Sequence, residues 1–206
     1  MTNKECLEYI VHKIHSTVFA TVDKQGNPVT CVIDIMDYDE NGLYFLTAKG
    51  KNFYDRLKNH SRIAFTGVSG YDTLSSIAIS MQGNVREIGS DRLTSLFEKN
   101  PYMFTIYPTI ASRKTLTVFQ IYEGTGEWFD LSKKPIERFS FSIGISEENT
   151  HGYFVNEQCI NCKLCYSQCP QKCIDHATTP VQIMQKNCLH CGNCYEVCPV
   201  HAIEKR

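Results

Sequence analysis

The chain has 206 residues, 42% of them hydrophobic, and a formal net charge of −1. That length suits one large domain or two modest ones, and the near-neutral charge excludes a broad electrostatic pull toward nucleic acid or an acidic membrane. No apolar run is long enough to span a bilayer, and the opening Met1-Thr2-Asn3-Lys4-Glu5 lacks a secretory pattern, so a cytoplasmic protein is expected.

Thr2-x-x-Glu5 has the form of a capping box, and Leu7, Ile10, Val11 and Ile14 recur at helical spacing, which predicts an opening helix. Strands are expected at 17–22 and 29–36, across a turn at 23–28. Asn41-Gly42 predicts a hairpin between the strand at 29–36 and one at 43–47. Residues 52–58 read as a helix with Phe53, Tyr54 and Leu57 in an apolar stripe. Strands follow at 62–68 and 76–88, the latter interrupted at Gly83 by a bend or bulge. Ser90 is placed to cap a helix through Glu98, with Leu93, Leu96 and Phe97 inward. Strands at 115–122, 127–131 and 136–142 complete the series.

This many antiparallel-looking strands with few helices predicts a mainly β fold, a closed or nearly closed barrel with helices on its rim. Between Ser146 and Gly152 the chain turns polar and the strand pattern stops. A boundary there separates a domain of residues 1–148 from one of residues 149–206.

Of eleven cysteines, nine lie between Cys159 and Cys198, and only Cys6 and Cys31 lie outside. Dense cysteine in a chain without a secretory signal points to metal rather than disulfides. The runs are Cys159-x2-Cys162-x2-Cys165-x3-Cys169-Pro170 and Cys188-x2-Cys191-x2-Cys194-x3-Cys198-Pro199. Two-residue gaps aim three thiolates at one iron–sulfur cube, and the fourth cysteine, before proline, reaches the other cube. The first cluster is therefore expected on Cys159, Cys162, Cys165 and Cys198, and the second on Cys188, Cys191, Cys194 and Cys169. Pro170 and Pro199 lack an N–H and turn the chain away. Gly192 lets the backbone approach, where Lys163 takes the matching place.

A shift of 29 positions carries Cys159 onto Cys188, Tyr166 onto Tyr195, Pro170 onto Pro199 and Ile174 onto Ile203, an internal repeat. The same shift sets Cys173 over Ala202, so Cys173 is expected to pack rather than bind metal. Zinc is the alternative, since Cys-x-x-Cys also suits a tetrahedral ion. Zinc modules usually use two separated pairs, however, not three close ligands and a fourth before proline. From about 155 to 203 the chain resembles the bacterial-type ferredoxins that hold two 4Fe-4S clusters.

The part before the cysteines carries a second resemblance. Its residues are Ser16-Thr17-Val18-Phe19-Ala20-Thr21-Val22, the hairpin arm Gly42-Leu43-Tyr44-Phe45-Leu46-Thr47-Ala48-Lys49-Gly50-Lys51, and Leu57-Lys58-Asn59-His60-Ser61-Arg62-Ile63-Ala64. Gly83 and Thr117-Val118-Phe119-Gln120-Ile121 add to it. Together these resemble the pyridoxamine 5'-phosphate oxidase-like split barrels, which bind flavin mononucleotide (FMN). The resemblance implies an antiparallel split β-barrel followed by a small α+β ferredoxin-like domain, and a homodimer with FMN at its interface. It also implies that Thr47, Lys49 and Lys51 hold the FMN phosphate and that Val32, Ile33 and Asp34 lie along the isoalloxazine. The residue types agree at the first of these places: a hydroxyl, two ammonium groups and a glycine between strand and helix suit a phosphate. Taken without the resemblance, Lys49 and Lys51 read as solvated turn residues. Members that oxidise pyridoxamine phosphate carry an Arg and a Lys on the strand at 29–36. Here Cys31-Val32-Ile33-Asp34-Ile35 has neither, which argues against that substrate.

His190 reads as a surface histidine, with tuning of a cluster as the alternative. Trp128 reads as core or as a flavin stacking partner, and Cys31 as a small hydrophobe. Tyr166 and Tyr195 are expected to pack over the cubes. No Ser/His/Asp nucleophile or Gly-rich nucleotide fingerprint emerges. The sequence thus predicts an FMN-dependent flavin/iron–sulfur oxidoreductase that takes a small-molecule substrate and serves a redox partner protein or carrier. The rival expectation is an electron carrier or docking subunit whose barrel lacks flavin or binds another planar cofactor.

Overall fold

A computed structural model describes residues 1–144 and 151–206 of the chain. The expected boundary near 146–152 falls mostly on residues 145–150, outside the described residues. The chain divides into two units. One holds Met1–Ser69, Ala78–Glu127 and, among described residues, 140–144; the other holds Gly70–Ile77, Trp128–Phe139 and 151–206.

The first unit opens with the predicted capping box. Thr2 Oγ1 accepts the Glu5 N–H at 3.2 Å, and Glu5 Oε2 accepts the Thr2 N–H at 2.7 Å. Helix α1 (Asn3–Tyr9) continues as one wider π turn over Ile10–Ile14, which His15 ends at φ 57°. The sheet contains β1 (Ser16–Val22), β2 (Pro28–Asp34), β3 (Asp37–Asp39), β4 (Gly42–Ala48), β5 (Arg62–Ser69), β6 (Ile77–Gly89), β7 (Leu116–Asp130) and β8 (Glu137–Ile143). Its order is β2-β1-β5-β6-β7-β4-β3, with β8 also on β7. This is the mainly β, antiparallel barrel expected from the strand pattern, in the split form that the resemblance implies.

Two expectations about strands need correcting. The Asn41-Gly42 hairpin joins β3 to β4, with Asp39 opposite Gly42, whereas β2 pairs along its whole length with β1, from Ser16–Asp34 to Val22–Pro28. The anticipated strand at 29–36 breaks after Asp34 because neighbouring Ile35 and Met36 are both buried. Successive strand side chains face opposite ways, so burying both requires a turn of the chain. The Ile35 N–H goes to the His15 carbonyl at 2.8 Å and the Met36 N–H to the Tyr44 carbonyl at 2.8 Å.

The strands anticipated at 115–122 and 127–131 are one strand, β7, and β6 runs through Gly83 without interruption. A Cβ at Gly83 would collide with the Glu123 carbonyl oxygen, and Gly83 Cα lies 2.9 Å from where a Gly124 Cβ would stand. The glycines therefore mark a close approach of two long strands rather than their ends.

Helices cover the strands. Helix α2 (Asn52–Asn59) follows β4, and α3 (Leu93–Lys99) follows β6. Helix α3 begins later than Ser90 suggested; the Ser90 carbonyl merely accepts the Leu93 N–H at 2.9 Å. Two short helices, α4 (Met103–Ile106) and α5 (Ile110–Arg113), were not anticipated. Both faces of β4 and β7 are covered. On one side Phe19, Phe45, Phe53, Phe65 and Phe119 form linked ring pairs, with centroids 5.0 Å apart for Phe19–Phe45 and 5.7 Å for Phe45–Phe119. On the other side Tyr44, Leu116 and Val118 pack with Met36, Leu96, Phe97 and Met103. Such ring pairs contribute about 0.5–1.5 kcal/mol each beyond area burial.

In the second unit β9 (Tyr153–Val155) pairs with β12 (Ile203–Lys205), and β10 (Ile174–Asp175) with β11 (Gln182–Ile183). Gly152 and Arg206 exchange backbone hydrogen bonds at 3.0 and 2.9 Å. Helices α6 (Leu164–Gln168) and α7 (Asn193–Glu196) carry Cys165 and Cys194. The sequence repeat is also a backbone repeat. Left-handed residues recur at Asn161 and His190, Lys163 and Gly192, and Lys172 and His201. Each non-glycine among them costs on the order of 1 kcal/mol; four of the six lie inside the cysteine runs, and Lys172 and His201 lie just after them. Among the described residues no helix is long and apolar enough to cross a membrane.

Candidate functional site

The backbone repeat builds two cages in the second unit. Cys159, Cys162, Cys165 and Cys198 line a small cavity walled by Val155, Val181 and Ile203. Cys169, Cys188, Cys191 and Cys194 line another, together with Ile174, Ile183 and Cys173. Each cage thus takes three cysteines of one run and the last cysteine of the other. The left-handed residues turn N–H groups toward sulfur: Asn161 N–H to Cys159 Sγ and His190 N–H to Cys188 Sγ, both at 3.4 Å. The Ala202 N–H reaches Cys198 Sγ at 3.2 Å.

Burial pushes the Cys165 thiol up and that of Cys194 up to about 11. Four thiols drawn into each of two apolar-walled cavities, with N–H donors on three sulfurs, suit an iron–sulfur cube in each. Among the described residues no three His, Cys, Asp or Glu side chains converge as one ion requires.

Several neighbours of the cages differ from expectation. Cys173 is buried, as a packing residue should be, but it lies on the wall of the second cavity with its Sγ 3.5 Å from Cys169 Sγ. Its thiol hydrogen-bonds Cys188, which holds the Cys188 pKa down and its own up. His190 is half-buried rather than on the surface, and its Nε2 is buried without a partner among the described residues. Tyr195 is 46% exposed and shields nothing fully. Tyr166 is partly buried and stacks on His176 with centroids 4.7 Å apart. Buried Tyr153 takes the covering place over the second run, its hydroxyl 3.0 Å from where a Gly192 Cβ would stand. Sequence reasoning passed over Tyr153, which lies before the repeat.

Arg138 was also missed. It is half-buried in the same unit, with Nη1 3.4 Å from the Cys188 carbonyl and its guanidinium 5.2 Å from the Phe129 ring centre. Two residues earlier, Ile136 is fixed on both sides: its N–H donates to Gln171 Oε1 at 3.1 Å, and its carbonyl accepts from Asn187 Nδ2 at 3.0 Å.

The first unit presents the strand-to-helix corner. Thr47 lies on the covered face of β4, its Oγ1 buried and without a partner among the described residues. Lys49 and Lys51 are exposed. Lys51 is the extended N-cap of α2 and no side chain caps that helix, so its first N–H groups remain free to receive an anion. Glu87 gathers the neighbouring donors: Thr117 Oγ1 at 2.7 Å, Lys58 Nζ at 3.0 Å, Tyr54 OH at 3.2 Å and Lys49 Nζ at 3.9 Å. Burial opposes ionisation of Glu87, but the bonds from Thr117 and Lys58 outweigh it and hold its pKa below the usual carboxylate value. Arg56, a cation the sequence reading left out, donates from Nε to Thr21 Oγ1 at 2.7 Å and stands 3.9 Å from Cys31 Sγ. An orphan hydroxyl, an uncapped helix and the cations Lys49, Lys51 and Arg56 fit a phosphate.

The strand expected along the flavin is more mixed. Val32 is 67% exposed, and the Ile33 carbonyl accepts from Thr17 Oγ1 at 2.9 Å. The Asp34 carboxylate is engaged by Ser16 Oγ at 2.6 Å and Tyr102 OH at 2.8 Å, with His15 Nε2 3.5 Å away. Trp128 is buried.

These features define a split-barrel protein fused to a two-cage iron–sulfur unit. Residues 3–130 match the pyridoxamine 5'-phosphate oxidase family, to which the chain belongs, and residues 151–199 match a 4Fe-4S dicluster domain. Comparison with curated proteins gave no match. Among solved structures, a NimC/NimA family protein from Clostridium acetobutylicum is similar with a TM-score of 0.56 and 17% identity, over 68% of this chain and 92% of that one. A protein from the same organism, related to general stress protein 26 of B. subtilis (pyridoxinephosphate oxidase family), has a TM-score of 0.51 and 16% identity, over 69% and 97%. A heme binding protein from Mycobacterium smegmatis has a TM-score of 0.52 and 12% identity, over 68% of this chain and 58% of that one. At these identities the likeness is one of fold.

Proposed function

We propose that this chain is a flavin/iron–sulfur oxidoreductase in which residues 1–148 bind FMN and residues 149–206 hold two 4Fe-4S clusters. The observation that carries the reading is the presence in one chain of a pyridoxamine 5'-phosphate oxidase-family barrel and two four-thiol cages. Bound FMN supplies exchange of an electron pair with a small organic substrate and of single electrons with the clusters. Lys49, Lys51 and the free N–H groups of α2 hold its phosphate, with Thr47 beneath them, and Val32, Ile33 and Asp34 border the ring. The cages keep most of their thiols from water while Cys162 and Cys191 reach the surface, where a redox partner protein or carrier exchanges electrons. The substrate is not pyridoxamine phosphate, because β2 offers no cation to hold a second phosphate.

A homodimer is part of the proposal. The outward face of β1, β2 and β5 exposes Val18, Val32 and Val68, an apolar strip that a second copy would cover. A reducing, cytoplasmic setting suits free thiols.

Anaerobic purification followed by iron, sulfide and flavin analysis tests the reading. About eight irons, as many sulfides and one FMN per chain are expected. Clusters without flavin would reduce the protein to an electron carrier, haem in the barrel would replace the flavin chemistry, and zinc without sulfide would overturn the scheme.

A further inference from the structure

The two cages share a backbone but not a set of neighbours. Under the 29-residue shift Cys173 corresponds to Ala202 and His190 to Asn161, while the left-handed turns and the N–H bonds to Cys159 and Cys188 are the same in both. Apart from the Ala202 N–H on Cys198 Sγ, the differences between the two surroundings are therefore differences of side chains. Arg138 stands outside the repeat, in the segment Trp128–Phe139 that the second unit draws in from earlier in the chain, and its guanidinium bonds the Cys188 carbonyl. We propose that Arg138 and Cys173 make the cluster held by Cys169, Cys188, Cys191 and Cys194 the more easily reduced of the two, so that it is where electrons come to rest within the pair. The inference depends on the clusters proposed above.

The physical argument concerns charge. Reduction adds one negative charge to a cube, and a cation fixed beside it favours the reduced state more than the oxidised one. Arg138 remains charged at every accessible pH, and its half-buried site keeps solvent from fully screening it. The Cys173 S–H, buried on the wall of that cavity 3.5 Å from Cys169 Sγ, acts in the same direction by donating to that ligand's sulfur, and Ala202 has no side-chain donor to offer in return. The Ala202 N–H on Cys198 at 3.2 Å favours the other cluster, but a peptide dipole is weaker than a full charge. Lys163 borders the first cavity and is exposed, so water and salt screen it. When one electron moves from the first cluster to the second, the first is oxidised and the second reduced, with no bond broken and no proton moved.

The test is an anaerobic redox titration of the whole chain, followed by electron paramagnetic resonance, after iron and sulfide have been counted. The wild type should show two distinct midpoints. Arg138→Gln should lower the higher midpoint and leave the lower one in place, Arg138→Lys should restore most of the shift, and Cys173→Ala should lower the same midpoint. Coincident wild-type midpoints, or an Arg138→Gln effect on the lower one, on both or on neither, would overturn the proposal. Should Arg138→Gln lose a cluster, Arg138→Lys and Cys173→Ala decide the matter by the same criterion. Wild-type protein without about eight irons would instead defeat the cluster reading itself.

Discussion

Replacing Cys198 with alanine removes one thiol from the cage that otherwise contains Cys159, Cys162 and Cys165, although Cys198 lies in the run that begins at Cys188. A cube left with three thiolates, and with the Ala202 N–H deprived of its sulfur acceptor, should be lost or degrade. Iron should fall from about eight to about four per chain. The decisive measurement is a pair of double variants. Cys159→Ala with Cys198→Ala strikes the same cage twice and should still retain about four irons, whereas Cys188→Ala with Cys198→Ala strikes both cages and should retain almost none. Iron and sulfide analysis with electron paramagnetic resonance of the reduced protein reads out both. If the first pair empties the protein and the second keeps half its iron, each cluster is held by its own run and the crossed assignment is wrong. Cys198 is a better target than Cys169, because Cys173 Sγ stands 3.5 Å from Cys169 Sγ and could take its place.

Three further outcomes are expected. Lys51→Ala should weaken FMN binding roughly tenfold to a hundredfold, since a charge-assisted contact contributes about 1.5–3 kcal/mol; fluorescence titration with unchanged affinity would remove Lys51 from the phosphate site. Gly83→Val should leave the barrel insoluble or destabilised by several kcal/mol, roughly the upper range of overpacking, because its side chain meets the Glu123 carbonyl; a soluble variant with unchanged thermal unfolding would contradict the strand approach. Glu87 has a lowered pKa, so its stabilising effect is full above the unfolded value of about 4.3 and is lost as pH falls through the lower folded value. The stability difference between wild type and Glu87→Gln, measured by denaturant unfolding, should therefore shrink on acidification below that pH; a difference that grows would reverse the sign.

Local signals were legible in the sequence and distant ones were not. The Thr2–Glu5 box and the cysteine spacing each involve residues a few positions apart, so the chain itself displays the geometry. The break at Ile35 and Met36 depends on what covers each face of the strand, which no short window shows. Gly83 read as an interruption because glycine weakens strands in general; the facing Gly124 on β7, some forty positions later, gives it its purpose. Arg138 and Tyr153 escaped notice because they lie outside the repeat, and His190 was read as a surface residue because burial by Tyr153 and Gly152 is a tertiary fact. At the proposed phosphate corner Lys49 and Lys51 could be picked out by position, while Arg56 was hidden in an otherwise ordinary helix.

The exchange of hydrogen bonds between Gly152 and Arg206, extended by the pairing of β9 with β12, brings the start and finish of the cysteine-rich segment side by side. A segment with adjoining ends can be spliced onto another protein without requiring its host to span any particular distance. It could also be circularly permuted, with a short bridge across 152 and 206 and new ends opened elsewhere. The cassette is portable, however, only together with Gly70–Ile77 and Trp128–Phe139, which belong to the same unit; without the bonds from Ile136 and Arg138 to Gln171, Asn187 and Cys188 its internal geometry would change.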